Sequence, residues 1–240
     1  MLNHLLELRR RILYTLWVLI GFFVLFFSIA PHLFEQLISP LLNALPNHEP
    51  LIATEITTPL FIPIKLAADT AMLCTTPFAV LQLWYFIAPG LYPAEKKGLR
   101  MAALISLILF CTGVLFCFYI VLPFMLHFFT LSVPKHVRLM PDITSAVDFI
   151  TRMLVLFGLC FQVPLITLFL VHSQLVTITT LKSIRPYVIV GAFTIGMLLT
   201  PPDVLSQVAL ALPLCVLYEA GLFLAIFLVK KPAAIQSGAS

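Results

Sequence analysis

Charge is what this sequence is short of. Asp, Glu, Lys and Arg make up only 10% of its 240 residues, while 61% are hydrophobic; a soluble domain carries about 25% charged residues. The few charges stand in short clusters between long apolar runs, which excludes an ordinary soluble fold and points to one all-α integral membrane domain that crosses several times. Catalytic signatures are also missing. The sequence has no GxSxG, no HExxH and no glycine-rich phosphate loop, and its six histidines are scattered, so nucleophilic, zinc-dependent and nucleotide-dependent chemistry have no support and no cofactor is expected. Its five cysteines, Cys74, Cys111, Cys117, Cys160 and Cys215, lie inside apolar runs without CxxC spacing. They read as small core residues rather than as a metal or redox site. The net charge of +4 does not imply nucleic acid, because the basic residues sit at span ends, where topology explains them.

What is present is organised around Arg185 to Gln207, RPYVIVGAFTIGMLLTPPDVLSQ. Its apolar run, Tyr187 to Leu199, makes a helix of only about 20 Å, against a hydrocarbon core of about 30 Å. Such a mismatch favours local thinning of the bilayer or shielding by neighbouring helices. Pro201 and Pro202 stop the helix, and Asp203 is placed to cap the next one.

Taken in order, His4 to Arg11 (HLLELRRR) is a polar head that runs as a helix into a first span, about 12–30. The arginines before an apolar stretch that ends in Ser28-Ile29-Ala30 resemble a signal peptide, but the stretch exceeds a typical h-region of about 7–15 residues and Pro31 would follow the cut, so cleavage is not expected. Arg10-Arg11 as an export signal of its own fails on the same ground. Pro31 to Ile64 is an external loop in which Leu33, Phe34, Leu37, Ile38, Leu41, Leu42 and Leu45 recur at near-helical spacing, predicting an amphipathic helix along the membrane surface with a kink at Pro40. The second span is expected at 66–88, with Lys65 and Asp69 paired one turn apart. A cytoplasmic loop, Phe86 to Arg100, follows. The third span is expected at 101–127, bent at Pro123. After a second external loop, Ser145 and Asp148 have the spacing of a capping box that starts the fourth span, 149–171. A cytoplasmic loop with Lys182 and Arg185 leads to the fifth span, 187–200, and the sixth follows at 204–229. A disordered cytoplasmic tail, 230–240, is expected. Ten basic residues (Arg9, Arg10, Arg11, Lys96, Lys97, Arg100, Lys182, Arg185, Lys230, Lys231) then fall inside and four (Lys65, Lys135, Arg138, Arg152) outside, which places both termini in the cytoplasm. Pro77, Pro123, Pro164 and Pro213 predict kinked helices and a concave scaffold.

Four polar residues stand out. Glu219 lies inside the sixth span, where a carboxylate costs on the order of 3 kcal/mol on insertion scales; it is either a contact for a partner helix or proton, or a structural carboxyl. Gln162 lies near the middle of the fourth span and suits a helix–helix hydrogen bond. Glu7 and Glu95 are acids in basic segments, where they do nothing for topology. Each either pairs with a neighbouring Arg or Lys, or the two together form an acidic site for a cationic ligand.

HLLELRRR, FIAPGLYPAE, RPYVIVGAF and GMLLTPPDVLSQ, together with the six-span layout, closely resemble the TatC family, the polytopic core subunit of the twin-arginine protein translocase. The resemblance covers His4 to about Val229. It implies a six-helix, glove-shaped membrane receptor with short fifth and sixth spans, working with single-span partners of TatA and TatB type at the bacterial inner membrane. Exported cargo is folded, and the proton-motive force supplies the energy. By motif match, Glu7 and Glu95 meet the arginine pair of a signal peptide, supported by Leu8, Arg9 and Phe86; two fixed anions suit two guanidiniums. Pro40 and Asp203 match positions with structural or assembly roles, and Glu219 falls near the partner-docking surface. One departure matters: many TatC proteins carry a glutamate in the fourth span where this chain has Gln162. An amide keeps the hydrogen bonding and cannot titrate, which favours packing or partner binding over proton relay there.

Two rivals are a small secondary transporter, which would show an inverted repeat, and an intramembrane hydrolase, which needs a nucleophile with its base. Neither signature is in the sequence.

Overall fold

The computed structural model describes residues 2–44, 51–54, 56–87, 96–132, 140–199 and 204–228. Among them every regular element is helical: α1 (Leu2–Ser28), α2 (Ala30–Ala44), α3 (Thr58–Ile87), α4 (Lys96–Phe116), a π-helical turn (Cys117–Val121), α5 (Leu122–Leu131), α6 (Ile143–Cys160), α7 (Val163–His172), α8 (Ile178–Leu199) and α9 (Val204–Leu228). Six stretches are long and apolar enough to cross a membrane: Leu6–Ser28, Thr58–Leu83, Met101–Leu131, Ile143–His172, Ile178–Leu198 and Gln207–Phe227. The expected tail, 230–240, lies outside the described residues. The chain divides into two compact units, Met1–Leu159 and Cys160–Ser240.

In the first unit α1 carries both the polar head and the first apolar run, and it packs along α3. Most of its large side chains stay uncovered, Trp17 at 70% exposure for example, as suits a helix whose remaining surface faces lipid. α2 is the amphipathic helix read from its leucine spacing, and its apolar face packs against α3 and α6. Ile38 packs in one cluster with Leu66 of α3 and Val147 of α6, and Leu33, Phe34 and Leu37 close around them. Pro40 lies inside α2 and is buried.

The third span is irregular just before Pro123, where a π-helical turn, Cys117–Val121, leads into α5. Pro123 contributes no donor to that ladder, so the turn before it widens locally. Phe110 packs against Gly158 so closely that a Cβ there would lie 2.6 Å from the ring.

Two local pairings differ from expectation. Lys65 does not pair with Asp69; its Nζ stands 2.8 Å from Asp148 Oδ1 on α6, and Asp69 accepts a 3.3 Å hydrogen bond from the Thr151 hydroxyl. The cap of α6 is Asp142 rather than a Ser145–Asp148 box. Asp142 Oδ2 accepts from the Ser145 N–H at 3.0 Å and the Ser145 hydroxyl at 3.1 Å. Its Oδ1 accepts from the Thr54 N–H at 3.3 Å and the Thr54 hydroxyl at 3.0 Å. Backbone bonds between Ile52 and both Pro141 (3.1 Å) and Ile143 (3.0 Å) complete a clasp from the segment before α3 to the start of α6. The Ser145 N–H, first among these donors, holds the Asp142 carboxyl below its ordinary pKa.

In the second unit α7, α8 and α9 pack together. α7 ends in a Schellman turn: Leu175 N–H bonds Leu170 C=O and Gln174 N–H bonds Val171 C=O, both at 3.1 Å. Gln174 takes the left-handed position, φ 55°. Thr177 then caps α8 by accepting from the Thr180 N–H at 3.2 Å. The sequence-expected loop with Lys182 and Arg185 is therefore helix: α8 begins nine residues before the apolar run, and that run occupies only its second part. Val171, Leu181, Leu222 and Ala225 form the core. α7 crosses α9 at Gly221, where a Cβ would come within 2.7 Å of Pro164 Cα and collide with the Thr167 hydroxyl.

Candidate functional site

The amino-terminal end of α1 is rich in Leu, Glu and Arg, all good helix formers, and the helix sets Glu7 and Arg11 one turn apart on one face. Glu7 Oε1 accepts from Arg11 Nη2 at 2.5 Å and from Arg11 Nε at 3.2 Å. Arg11 Nη1 reaches across to α3 and donates to Gln82 Oε1 at 3.1 Å. Both members of the ion pair are partly exposed. Arg10 turns away: its Nε donates to the Tyr14 hydroxyl at 3.0 Å, with the guanidinium 5.4 Å from the ring centre. Leu8 and Arg9 are exposed beside Glu7.

Of the residues expected to form one acidic site, Glu7, Leu8 and Arg9 are successive residues of α1. Glu95 lies outside the described residues, and Phe86 is described only as a backbone position in α3. Glu7 is neutralised by an arginine of its own helix, the first of the two alternatives its surroundings left open. Sequence reasoning missed Gln82, the group that joins Arg11 to α3. Its signal is an amide in an otherwise apolar stretch, one turn before Phe86.

From Leu8 a groove of about 340 Å³ runs between α1 and α3, lined by apolar side chains together with Arg11, Thr15 and Gln82.

A second polar site lies in the other unit. Arg185 Nη2 donates to Glu219 Oε2 at 2.7 Å, tying α8 to α9, and one residue away the Tyr218 hydroxyl donates to the Leu181 C=O at 2.7 Å. Glu219 is thus a charge paired within the hairpin, with about half of its side chain exposed. Gln162 is 2% exposed and sits at the start of α7, its C=O accepting from Ile166 N–H at 2.9 Å. Asp203 lies outside the described residues. The cysteines are free thiols; Cys117 is buried and Cys111 is exposed, so burial was not common to all five. Among the described residues no group of three or more His, Cys, Asp or Glu could hold a metal ion.

An uncovered apolar surface and, among the described residues, six stretches long and apolar enough to cross a membrane describe a membrane component. A family profile described as "Sec-independent protein translocase protein (TatC)" matches residues 3–213. The chain belongs to the TatC family. It is 42% identical to the Sec-independent protein translocase protein TatC of Haemophilus influenzae over 231 residues, covering 96% of this chain and 90% of that one. To the TatC protein of Escherichia coli K12 it is 36% identical, with the same coverage of both chains. A crystal structure described as the twin arginine translocase receptor TatC superposes with a TM-score of 0.83 at 34% identity, over 93% of this chain and 98% of that one. The chain is accordingly a multi-pass membrane component of the twin-arginine translocase, with a transport role rather than a catalytic one.

Proposed function

We propose that this TatC-family chain is the signal-peptide receptor and assembly platform of its translocase, exporting folded proteins across the bacterial inner membrane at the expense of the proton-motive force. The observation that carries this reading is an acidic side chain, Glu7, at the exposed end of α1, with Leu8 and Arg9 beside it and an apolar groove leading away from it. A guanidinium of an incoming signal peptide exchanges with Arg11 on Glu7. Gln82 then keeps Arg11 hydrogen-bonded through its Nη1, and the part-exposed guanidinium retains an acceptor after the exchange. Phe86, near the end of α3, and Glu95 complete the site, and the arginine-specific, two-oxygen geometry separates an arginine pair from a lysine pair.

In this reading both termini are cytoplasmic, following the ten-to-four bias of basic residues. TatA-type and TatB-type single-span proteins, further copies of the chain and membrane lipids are its partners. The Arg185–Glu219 pair offers a polar contact at the partner surface of the α8–α9 hairpin. Gln162, enclosed by its own chain, serves packing; Pro40 and Asp203 serve structure and assembly.

The test is site-specific photocross-linking from positions 7 and 95 to a twin-arginine signal peptide, with a twin-lysine peptide as control. Adducts that require the arginine pair support the receptor reading. Equal labelling of both peptides, or none with partners present, refutes it.

A further inference from the structure

Asp69 stands about 16 Å along α3 from Thr58 and about 21 Å from Leu83, near the middle of a stretch apolar and long enough to cross a membrane. A carboxylate at that depth needs compensation. Three charges act on it, those of Asp148, Lys65 and Arg152, but both cations are engaged by Asp148: its Oδ1 lies 2.8 Å from Lys65 Nζ and its Oδ2 3.9 Å from Arg152 Nη2. Among the described residues Asp69 forms no ion pair, and its Oδ2 meets Thr151 Oγ1 at 3.3 Å. The other helices packed on α3 bring it no further charge. α1 and α4 carry theirs near their amino-terminal ends, and α2, whose His32 and Glu35 are exposed, contributes the neutral Gln36 beside Thr151.

The Thr151 hydroxyl decides which form of Asp69 the contact suits. It is buried and has one proton to donate, and the Val147 C=O, only 2.6 Å away, takes it, the usual bond of a threonine to its own helix. What Thr151 then turns to Asp69 is a lone pair. An ionised carboxylate offers only acceptors, so two acceptors would face each other between α3 and α6. A protonated carboxyl instead donates to Thr151 Oγ1, and a continuous chain runs from Asp69 through Thr151 to the Val147 C=O. Neutral Asp69 is also free of repulsion from Asp148, which ties the same two helices through Lys65 one turn away.

We propose that Asp69 is a proton-binding site within the second membrane-spanning helix, reached by water from a pocket beside Thr151. That pocket, about 180 Å³, has Gln36, Thr70 and Thr151 as its polar lining and Phe118 of the π-helical turn in its wall. A water molecule takes about 30 Å³ in the liquid, so the pocket has room for several. A hydronium ion there gives up its proton and becomes water, and an O–H bond forms at Asp69, one hydrogen bond from the pocket wall. The contact between α3 and α6 loses one negative charge and gains one hydrogen bond. Proton binding of this kind is independent of the signal-peptide reading above.

The experiment is infrared difference spectroscopy of the full chain in nanodiscs, reading the C=O stretch of a protonated carboxyl as the buffer is stepped across neutral pH. An aspartate in water is roughly a thousandfold more often ionised than protonated at neutral pH. For Asp69 the protonated form is expected to be the larger share: a band present in the parent chain, lost in alkaline buffer and missing from Asp69→Asn. Thr151→Val removes the acceptor and should shift the band, while Thr151→Ser keeps the hydroxyl and should leave it in place. No such band at neutral pH, or its survival in Asp69→Asn, overturns the proposal. Should Asp69→Asn fail to fold, the Thr151 variants carry the test, and a band identical in Thr151→Val is the contrary result. The route is tested by combining Gln36→Leu with Thr70→Val, which makes the pocket less polar. After a step from alkaline to neutral buffer the band should then appear severalfold more slowly and reach the same height; an unchanged rate refutes entry through the pocket.

Discussion

Asp142 holds two parts of the chain with one carboxylate, capping α6 through Ser145 and fastening Thr54 of the segment before α3. Its pKa is depressed because these donors favour the ionised form. Its contribution to stability is therefore complete above the ordinary carboxylate value, about 4, and is lost as pH falls through its lower folded value. Asp142→Ala should lower stability by about 1 kcal/mol near neutral pH. Thermal unfolding at a series of pH values should show the difference from the parent chain closing at the acid end. The Arg185–Glu219 pair has its own signature. Removing one partner leaves a charge at membrane depth without its counter-charge, so Arg185→Ala or Glu219→Ala should destabilise more than the double substitution. A double-mutant cycle by chemical unfolding in detergent checks this, with additive losses as the contrary result. The pair was within reach of the sequence. Arg185 and Glu219 stand at equal distances in sequence on either side of Pro202, so two antiparallel helices bring them level. The Lys65–Asp148 bridge was not, because its partners are far apart in sequence, and the nearer Asp69, at ideal helical spacing, was the obvious false partner.

Among the elements, the link between α7 and α8 is the most economical, with a Schellman turn followed at once by the Thr177 cap. A glutamine holds the left-handed position in that turn, φ 55°, which costs a side-chain-bearing residue roughly 1–2 kcal/mol. Gln174→Gly should therefore raise stability, by up to about 1 kcal/mol after the added freedom of the unfolded chain is counted; a lower unfolding midpoint would contradict this. α2 shows how far periodicity carries. The spacing of Leu33, Phe34, Leu37 and Ile38 was sufficient to identify the helix and its apolar face, but periodicity does not say what that face meets, and it meets Leu66 and Val147. α8 shows the converse. Its apolar run was legible, while its polar first turns were read as loop, because Thr179, Thr180, Lys182, Ser183 and Pro186 lack the apolar repeat on which sequence recognition depends.

At the scale of the whole molecule, the six-span layout was legible because long apolar runs admit few alternatives in a membrane. The proposed acidic site rests on its motifs alone: Glu7 has an ordinary helical partner, and nothing in its spacing to Arg11 distinguishes a receptor contact from an ion pair. The hairpin of α8 and α9 has a physical consequence for transport. From the level of the Arg185–Glu219 pair, α8 extends about 21 Å to Leu199 and α9 about 22 Å back from Val204, both short of the hydrocarbon thickness. If the pair marks one edge of the apolar zone, the bilayer thins there, and recruited short partner helices extend the thinned zone. Inserting one apolar helical turn within 187–199 should then impair export while leaving signal-peptide binding in place; normal export would remove thinning from the account.

The central claim is that this chain recognises an arginine pair, and the most direct measurement is the affinity of the purified full chain in nanodiscs for a twin-arginine signal peptide against its twin-lysine form. Binding should be at least about tenfold tighter for the arginine peptide, a difference of about 1.4 kcal/mol, and Glu7→Gln should reduce that preference. Equal affinity for the two peptides would contradict the receptor assignment and leave a translocase subunit whose signal-peptide contact lies elsewhere.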